Sequence, residues 1–312
     1  MASRFHVNGY DNVYKLMCDS DPYPVSVFDD KPDVKMARDA FIKDLAFVFD
    51  QMRVALCCLG NIRLISDPDL MSTRVYETSP NFYYTAIRSF VNTCVMSVAR
   101  LYPKSGNGLS LYSLLSAANK NSDIFSIGYV HGDGTVIKHQ YGYVLHDAAD
   151  VECALKIFRA QPDILAGYVP KINTIFRAGP VDMVKFLNSR VRMQDISEIV
   201  ENVTFQRDKY YAHSEKEYVL NYNRLASEHP VVLSNFEFLL YFAEITCAIL
   251  SAMLFHDAFF VVADNRFDIL RTWSCVDSAY GDKIRNILHD ITKQREIVLG
   301  KLIFDLDDDE LG

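Results

Sequence analysis

The sequence predicts an all-α fold, a helical bundle with one inserted segment, and three observations support that class. Apolar residues recur at three- and four-residue steps over long windows, the spacing that places them on one helical face. Proline and glycine clusters fall mainly between those windows. A single stretch has the character of paired strands. The 312 residues are 50% hydrophobic with a mean hydropathy of +0.01, enough to bury a large core.

Residues 1–34, rich in Asp, Pro and Tyr and without a sustained period, read as an irregular arm. From Lys35 to Leu59 the apolar positions Phe41, Leu45, Val48, Phe49, Met52 and Leu56 share one helical face, and Gly60 is the expected stop. FYYTAIRSFVNTCVMSVARLY, residues 82–102, is apolar round most of its circumference, as a central bundle helix is, and Pro103 with the SGNG turn ends it. Ser110 is placed to cap a shorter helix whose Leu111, Leu114 and Leu115 face the core.

Residues 123–147 set apolar and aromatic side chains around a GDG turn, a β-hairpin signature inside an insertion of about 119–180. The hairpin aromatics Tyr129, Tyr141 and Tyr143 suit local packing or base stacking. Helical periods return in ADVECALKIFRAQ and, after Pro162, Pro170 and Pro180, from about Val181 to His213. Val231 to Val262 reads as a strongly apolar helix with Leu239, Phe242, Ile245, Ile249, Met253 and Phe260 in the core. Tyr280 to Ile303 is amphipathic, and FDLDDDELG reads as a solvated tail. The expected organisation is an arm at 1–34, a helical domain at 35–262 carrying the insertion, and a helical extension with acidic tail at 263–312.

A net charge of −8 and a pI near 5.5 exclude a protein that coats nucleic acid or acidic membrane through its overall field. The seven cysteines are scattered, odd in number and never spaced C-x-x-C, which reads as reduced core thiols. The N-terminus lacks the regions of a signal peptide, and the most apolar stretch, Ile245 to Phe255, lies between Glu244 and Asp257. A soluble, cytoplasmic protein without membrane association is the expectation. His131, His139 and His146 have no recognised metal-ligand spacing, so no metal and no cofactor is expected. A pocket around His256 and Asp257 is a third candidate centre, but adjacent helical residues point 100° apart.

The stretch RDKYYAHSEKEY, residues 207–218, holds the most informative chemistry. On ideal helical phasing Ile196, Ile199, Val200, Val203, Tyr210 and Tyr211 lie within about 60° of one line, and Arg207 falls inside the same stripe. A guanidinium on a buried face requires an anion or several acceptors, because it cannot shed its proton. His213 projects about 120° from Arg207, so the two meet only through side-chain reach, helix fraying or two copies packed about a two-fold axis. The pair suits RNA transesterification: histidine moves the proton of a 2′-hydroxyl or of the leaving 5′-oxygen, and arginine holds the phosphate oxygens. The alternative is an internal carboxylate, Glu201, Glu237 or Glu244, that answers Arg207.

RDKYYAHSEK also resembles the signature of the HEPN superfamily, an arginine and a histidine separated by four to six residues of which the first is polar; here the spacer is DKYYA, with Asp208 in the polar position. The form RDKxxAHS resembles its abortive-infection branch in particular. FYYTAIRSFVNTCVMSVARLYPKSGNGLSLYSLL is similar to that branch's upstream helix and S-L-Y-x-L-L segment. The resemblance spans about residues 35–260, with a gap over the hairpin region. It implies an HEPN-like bundle that forms a homodimer, and a metal-independent endoribonuclease serving as a toxin or in phage-defence growth arrest. On that resemblance His213 is the acid or base, Arg207 the phosphate ligand and Asp208 the polar residue that orients them. Lys209 adds an RNA contact or is simply an exposed helix lysine. The implied partners are an RNA substrate, a second copy, and an antitoxin or defence-system partner. The alternative within the family is a noncatalytic module for dimerisation or for binding RNA or nucleotide. Two features depart from the pattern: Glu215 stands where some HEPN toxins carry a modifiable tyrosine, and the insertion at 119–180 is foreign to the basic bundle.

Overall fold

The computed structural model describes residues 10–19, 31–68, 77, 79–103, 108–125, 129–130, 136–137, 180–213 and 215–255. The fold is all-α, as predicted. Its helices are α1 (Tyr10–Asp19), α2 (Pro32–Ile65), α3 (Pro80–Leu101), α4 (Leu111–Lys120), α5 (Pro180–Arg190), α6 (Gln194–Gln206), α7 (Lys216–Val219), α8 (Tyr222–Glu228) and α9 (Leu233–Phe255). A 3-10 turn at Ser122–Phe125 follows α4, and a π-helical turn at Arg207–Ala212 follows α6.

The helix α2 starts on a proline in its first turn, with Asp33 beside it at the positive end of the helix dipole. Phe41, Leu45, Val48, Phe49 and Met52 are buried as the periodicity requires. Gly60 does not stop it. A mid-helix glycine costs about 1 kcal/mol relative to alanine. Burial of Leu59, Ile62, Leu64 and Ile65 outweighs that, at about 1.5–3 kcal/mol for each side chain. The supposedly irregular arm contains α1, whose Val13 and Met17 are buried against α2 while the Lys43 ammonium lies 5.8 Å over the Tyr14 ring. Ten residues rarely hold a helix alone in water, so this one depends on that packing.

The helix α3 packs along α2 but is not buried all round. Cys94, Val95, Val98, Ala99 and Leu101 are in the core, whereas Phe82 and Tyr84 at the other end are 66% and 65% exposed. The Tyr102 hydroxyl, just past α3, donates to Leu239 O of α9 at 2.5 Å. Ser110 caps α4 reciprocally: its Oγ accepts from the Ser113 amide at 3.1 Å, and Ser113 Oγ accepts from the Ser110 amide at 2.8 Å. Leu111, Leu114 and Leu115 are buried as expected. Within the predicted hairpin segment Tyr129–Val130 pairs antiparallel with Val136–Ile137, Tyr129 opposite Ile137 and Val130 opposite Val136.

The run from Val181 to His213 is not one helix. It breaks at Val191–Met193, where the Arg190 guanidinium reaches over the break and donates to both oxygens of Asp195 at 2.8 and 2.7 Å. The helix α9 buries Leu239, Phe242, Ile245, Ile249 and Met253. Both α2 and α9 are long and apolar enough to cross a membrane by length and composition, and the most apolar window of α9 is entirely buried within the protein. Arg38 of α2 is buried, donates to Leu254 O at 3.1 Å and lies 5.6 Å over the Phe255 ring, while Arg63 at the other end of α2 pairs with Glu237. Cys58, Cys94 and Cys247 are buried free thiols, but Cys18 is exposed and Cys57 half-buried. ADVECALKIFRAQ, Cys153, Cys275, His131, His139, His146, Tyr141, Tyr143, His256, Asp257, Phe260, the 280–303 segment and the acidic tail lie outside the described residues.

Replacing Asp195 with alanine leaves the buried Arg190 without its bidentate partner, and a loss of about 3 kcal/mol is expected in urea unfolding. The core thiols predict alkaline sensitivity. Burial, and then the neighbouring Cys57, push the Cys58 thiol from 9.0 up to about 11, and burial raises Cys94 and Cys247 as well. The folded state therefore keeps protons that the unfolded chain sheds. Stability is fully present below pH 9 and falls as pH rises from 9 through about 11, which thermal melts across that range will register. At pH 8 a thiol reagent should label Cys18 quickly and Cys58, Cys94 and Cys247 only on unfolding.

Candidate functional site

The site grows from the end of α6. At Gln206 the backbone widens into the π-helical turn, in which the Arg207 amide donates back to α6 carbonyls and the Glu215 amide closes the segment on Lys209 O at 2.8 Å. Such turns are rare and concentrate at functional sites. The widening changes helical phasing after Arg207, whose own amide still bonds to the Val203 carbonyl. Arg207 is nonetheless not sunk in the apolar stripe: its side chain is 24% exposed, and none of residues 207–212 is fully buried. Tyr211 packs against the core, its phenol raised by burial first and then by Tyr222 and Tyr210 beside it.

Arg207 meets a carboxylate within the motif rather than Glu201, Glu237 or Glu244. Its Nε donates to Asp208 Oδ1 at 2.7 Å and its Nη2 lies 2.6 Å from the same oxygen, while Glu237 belongs to Arg63 and Glu201 is exposed. The partner expected from the core is thus one residue away in the chain. The Nη1 edge of the guanidinium is unengaged among the described residues. The Lys209 ammonium donates to Glu215 Oε1 at 2.7 Å, which raises its pKa, and it lies 5.9 Å over the Phe205 ring. Glu215, at the position of the missing tyrosine, is therefore this lysine's counter-ion.

Arg207 and Asp208 line an open pocket of about 540 Å³ whose other walls include Glu201, Asn202, Phe205 and His229. His213 is not among its lining residues. It is the exposed residue at the end of the π turn and makes no hydrogen bond among the described residues. So one chain brings Arg207 and Asp208 together, diverts Lys209 to Glu215 and leaves His213 outside the pocket. The histidine within it, His229, escaped sequence reasoning. Its Nδ1 is 3.1 Å from Asn202 Oδ1, and its ring stacks on Phe205 at 3.6 Å and 19°. Its carbonyl accepts from Gln206 Nε2 at 2.7 Å. Asn202 and Phe205 lie three apart on one face of α6, the single local cue. Among the described residues no group of three His, Cys, Asp or Glu is placed to hold a metal ion.

The backbone around this pocket carries the motif, and a family comparison decides its class. The family model described as AbiU2, of HEPN type, matches residues 59–253. The chain belongs to the AbiU2 family of HEPN proteins. No curated protein and no solved structure matches it. The AbiU2 match starts near the end of α2, takes in the π turn with Arg207 and His213, and finishes within the last turn of α9. The abortive-infection branch expected from RDKYYAHS is therefore the right one.

Gln206 is buried and fixes the His229 carbonyl, so Gln206→Ala should cost about 1–2 kcal/mol in urea unfolding. Faster amide exchange over residues 229–232 should accompany it.

Proposed function

We propose that this AbiU2 protein is a cytoplasmic, metal-independent endoribonuclease of HEPN type that works as a homodimer in toxin or phage-defence growth arrest. The observation that carries the reading is Arg207. It is a motif guanidinium on a π turn, at the rim of an open pocket, with one edge engaged by Asp208 and the other turned to nothing among the described residues. A phosphate would complete that second edge, where bidentate hydrogen bonds stabilise charge building on phosphorus. Asp208 holds the guanidinium plane. His213 is the proton carrier, and its exposed position suits a site assembled from two copies, each lending its π turn. RNA is the substrate, and an antitoxin or defence-system protein is the expected partner.

A second reading is a noncatalytic HEPN module that dimerises or binds RNA or nucleotide. It draws on the same geometry, since Arg207 already has a carboxylate and His213 of the same chain stands outside its pocket. Alanine at His213 separates the two. Under the ribonuclease reading it abolishes RNA cleavage and growth arrest while melting temperature and dimer mass hold. Arg207→Lys, which keeps the charge and loses the fork, should lower cleavage about a hundredfold. A purified wild-type chain that cuts no RNA, with or without added divalent metal, sinks the enzyme.

A further inference from the structure

We infer that His229 is the general base of the Arg207 pocket, with His213 left as the acid; the assignment rests on the ribonuclease reading. Asn202 Oδ1 can only accept, so the 3.1 Å contact puts a proton on His229 Nδ1. On a neutral imidazole that leaves Nε2 as a lone pair, and Nε2 has no partner among the described residues. Stacking on Phe205 and the Gln206 bond to the backbone hold the ring in place. An imidazole fixed at one nitrogen and open at the other is built as a base, and it shares its pocket with the guanidinium that would bind the phosphate.

The charged groups round this ring are Glu201, Arg207 and Asp208 on the pocket wall, Lys209 at 5.9 Å over the Phe205 ring, and Glu228 next in the chain. Arg207 and Asp208 pair with each other, Lys209 pairs with Glu215, and Glu228 accepts from Arg224 at 2.8 Å. In the step, His229 Nε2 takes the 2′-hydroxyl proton and the 2′-oxygen bonds to phosphorus. The bond from phosphorus to the 5′-oxygen breaks, and that oxygen receives a proton from the His213 imidazolium, from the same chain or a second copy. The products are a 2′,3′-cyclic phosphate and a 5′-hydroxyl, with no change of oxidation state.

The test uses the full chain. His229→Phe keeps a ring on Phe205 and removes Nε2; it should lower kcat about a hundredfold or more with little change in KM or melting temperature. Asn202→Asp puts a carboxylate on Nδ1 and favours the imidazolium, so the acidic limb of the pH–rate profile should move to higher pH. A merely structural role would leave that limb in place. Proton NMR adds a readout independent of cleavage: inorganic phosphate or cytidine 3′-monophosphate should shift the His229 ring resonance, assigned by its loss in His229→Phe.

His229→Phe within twofold of wild type together with an unmoved Asn202→Asp profile overturns the assignment and leaves the ribonuclease standing. If His229→Phe fails to fold, the Asn202→Asp profile decides. If the wild type cuts no RNA, the enzyme reading falls by itself. The titration then judges the pocket: a shifted His229 resonance keeps it as a phosphate site, and an unmoved one removes it.

Discussion

Everything in this bundle answers to one demand made by α9, a helix apolar round its whole circumference that is stable in water only when other helices cover it on every side. Neighbouring elements bring polar groups to this layer, which also buries Glu237 and Glu244 of its own. Arg63 pairs with Glu237 near its start, Tyr102 donates to the Leu239 carbonyl, and Arg38 donates to Leu254 O at its end. Because Arg38 begins α2 and Arg63 nearly ends it, α2 runs antiparallel to α9. These bonds set the register of the bundle, while apolar burial supplies most of its stability.

That register places α6. The helix packs on α3 with Ile196, Val200 and Val203 inward, so Asn202 and Phe205 face out toward the 229–232 segment that leads into α9. When the backbone widens at Arg207 the inward stripe ends, and Tyr211 alone continues the packing against the core. Arg207 opens this turn with its own amide still in α-helical register and its side chain 24% exposed beside Asp208.

Much of the fold was legible because its signals are short-range. The Ser110 cap with Leu111, Leu114 and Leu115, and the spacing from Phe41 to Met52, each lie within a few turns. What sequence missed is of two kinds. Some features hang on tertiary packing: α1, the passage of α2 through Gly60, and the exposure of Phe82 and Tyr84. Others turn on backbone register, since side-chain pattern does not announce a π turn, and on side-chain reach, which takes Arg207 to Asp208 and leaves it 24% exposed. The motif itself was readable as Arg207, Asp208, Lys209 and His213, but the pocket joins Asn202 to a histidine 27 residues away, a pairing no local period encodes.

The motif is also almost electrically silent. Arg207 is offset by Asp208 and Lys209 by Glu215, in a chain that carries a net −8. On the proposed ribonuclease reading, such a paired motif exerts little pull on a polyanion, so RNA would meet it without electrostatic acceleration and with a shallow dependence on salt. Discrimination would then arise after contact, from how well a particular phosphate and its ribose seat against one guanidinium edge. A growth-arresting nuclease built this way would pass over most of the RNA it meets.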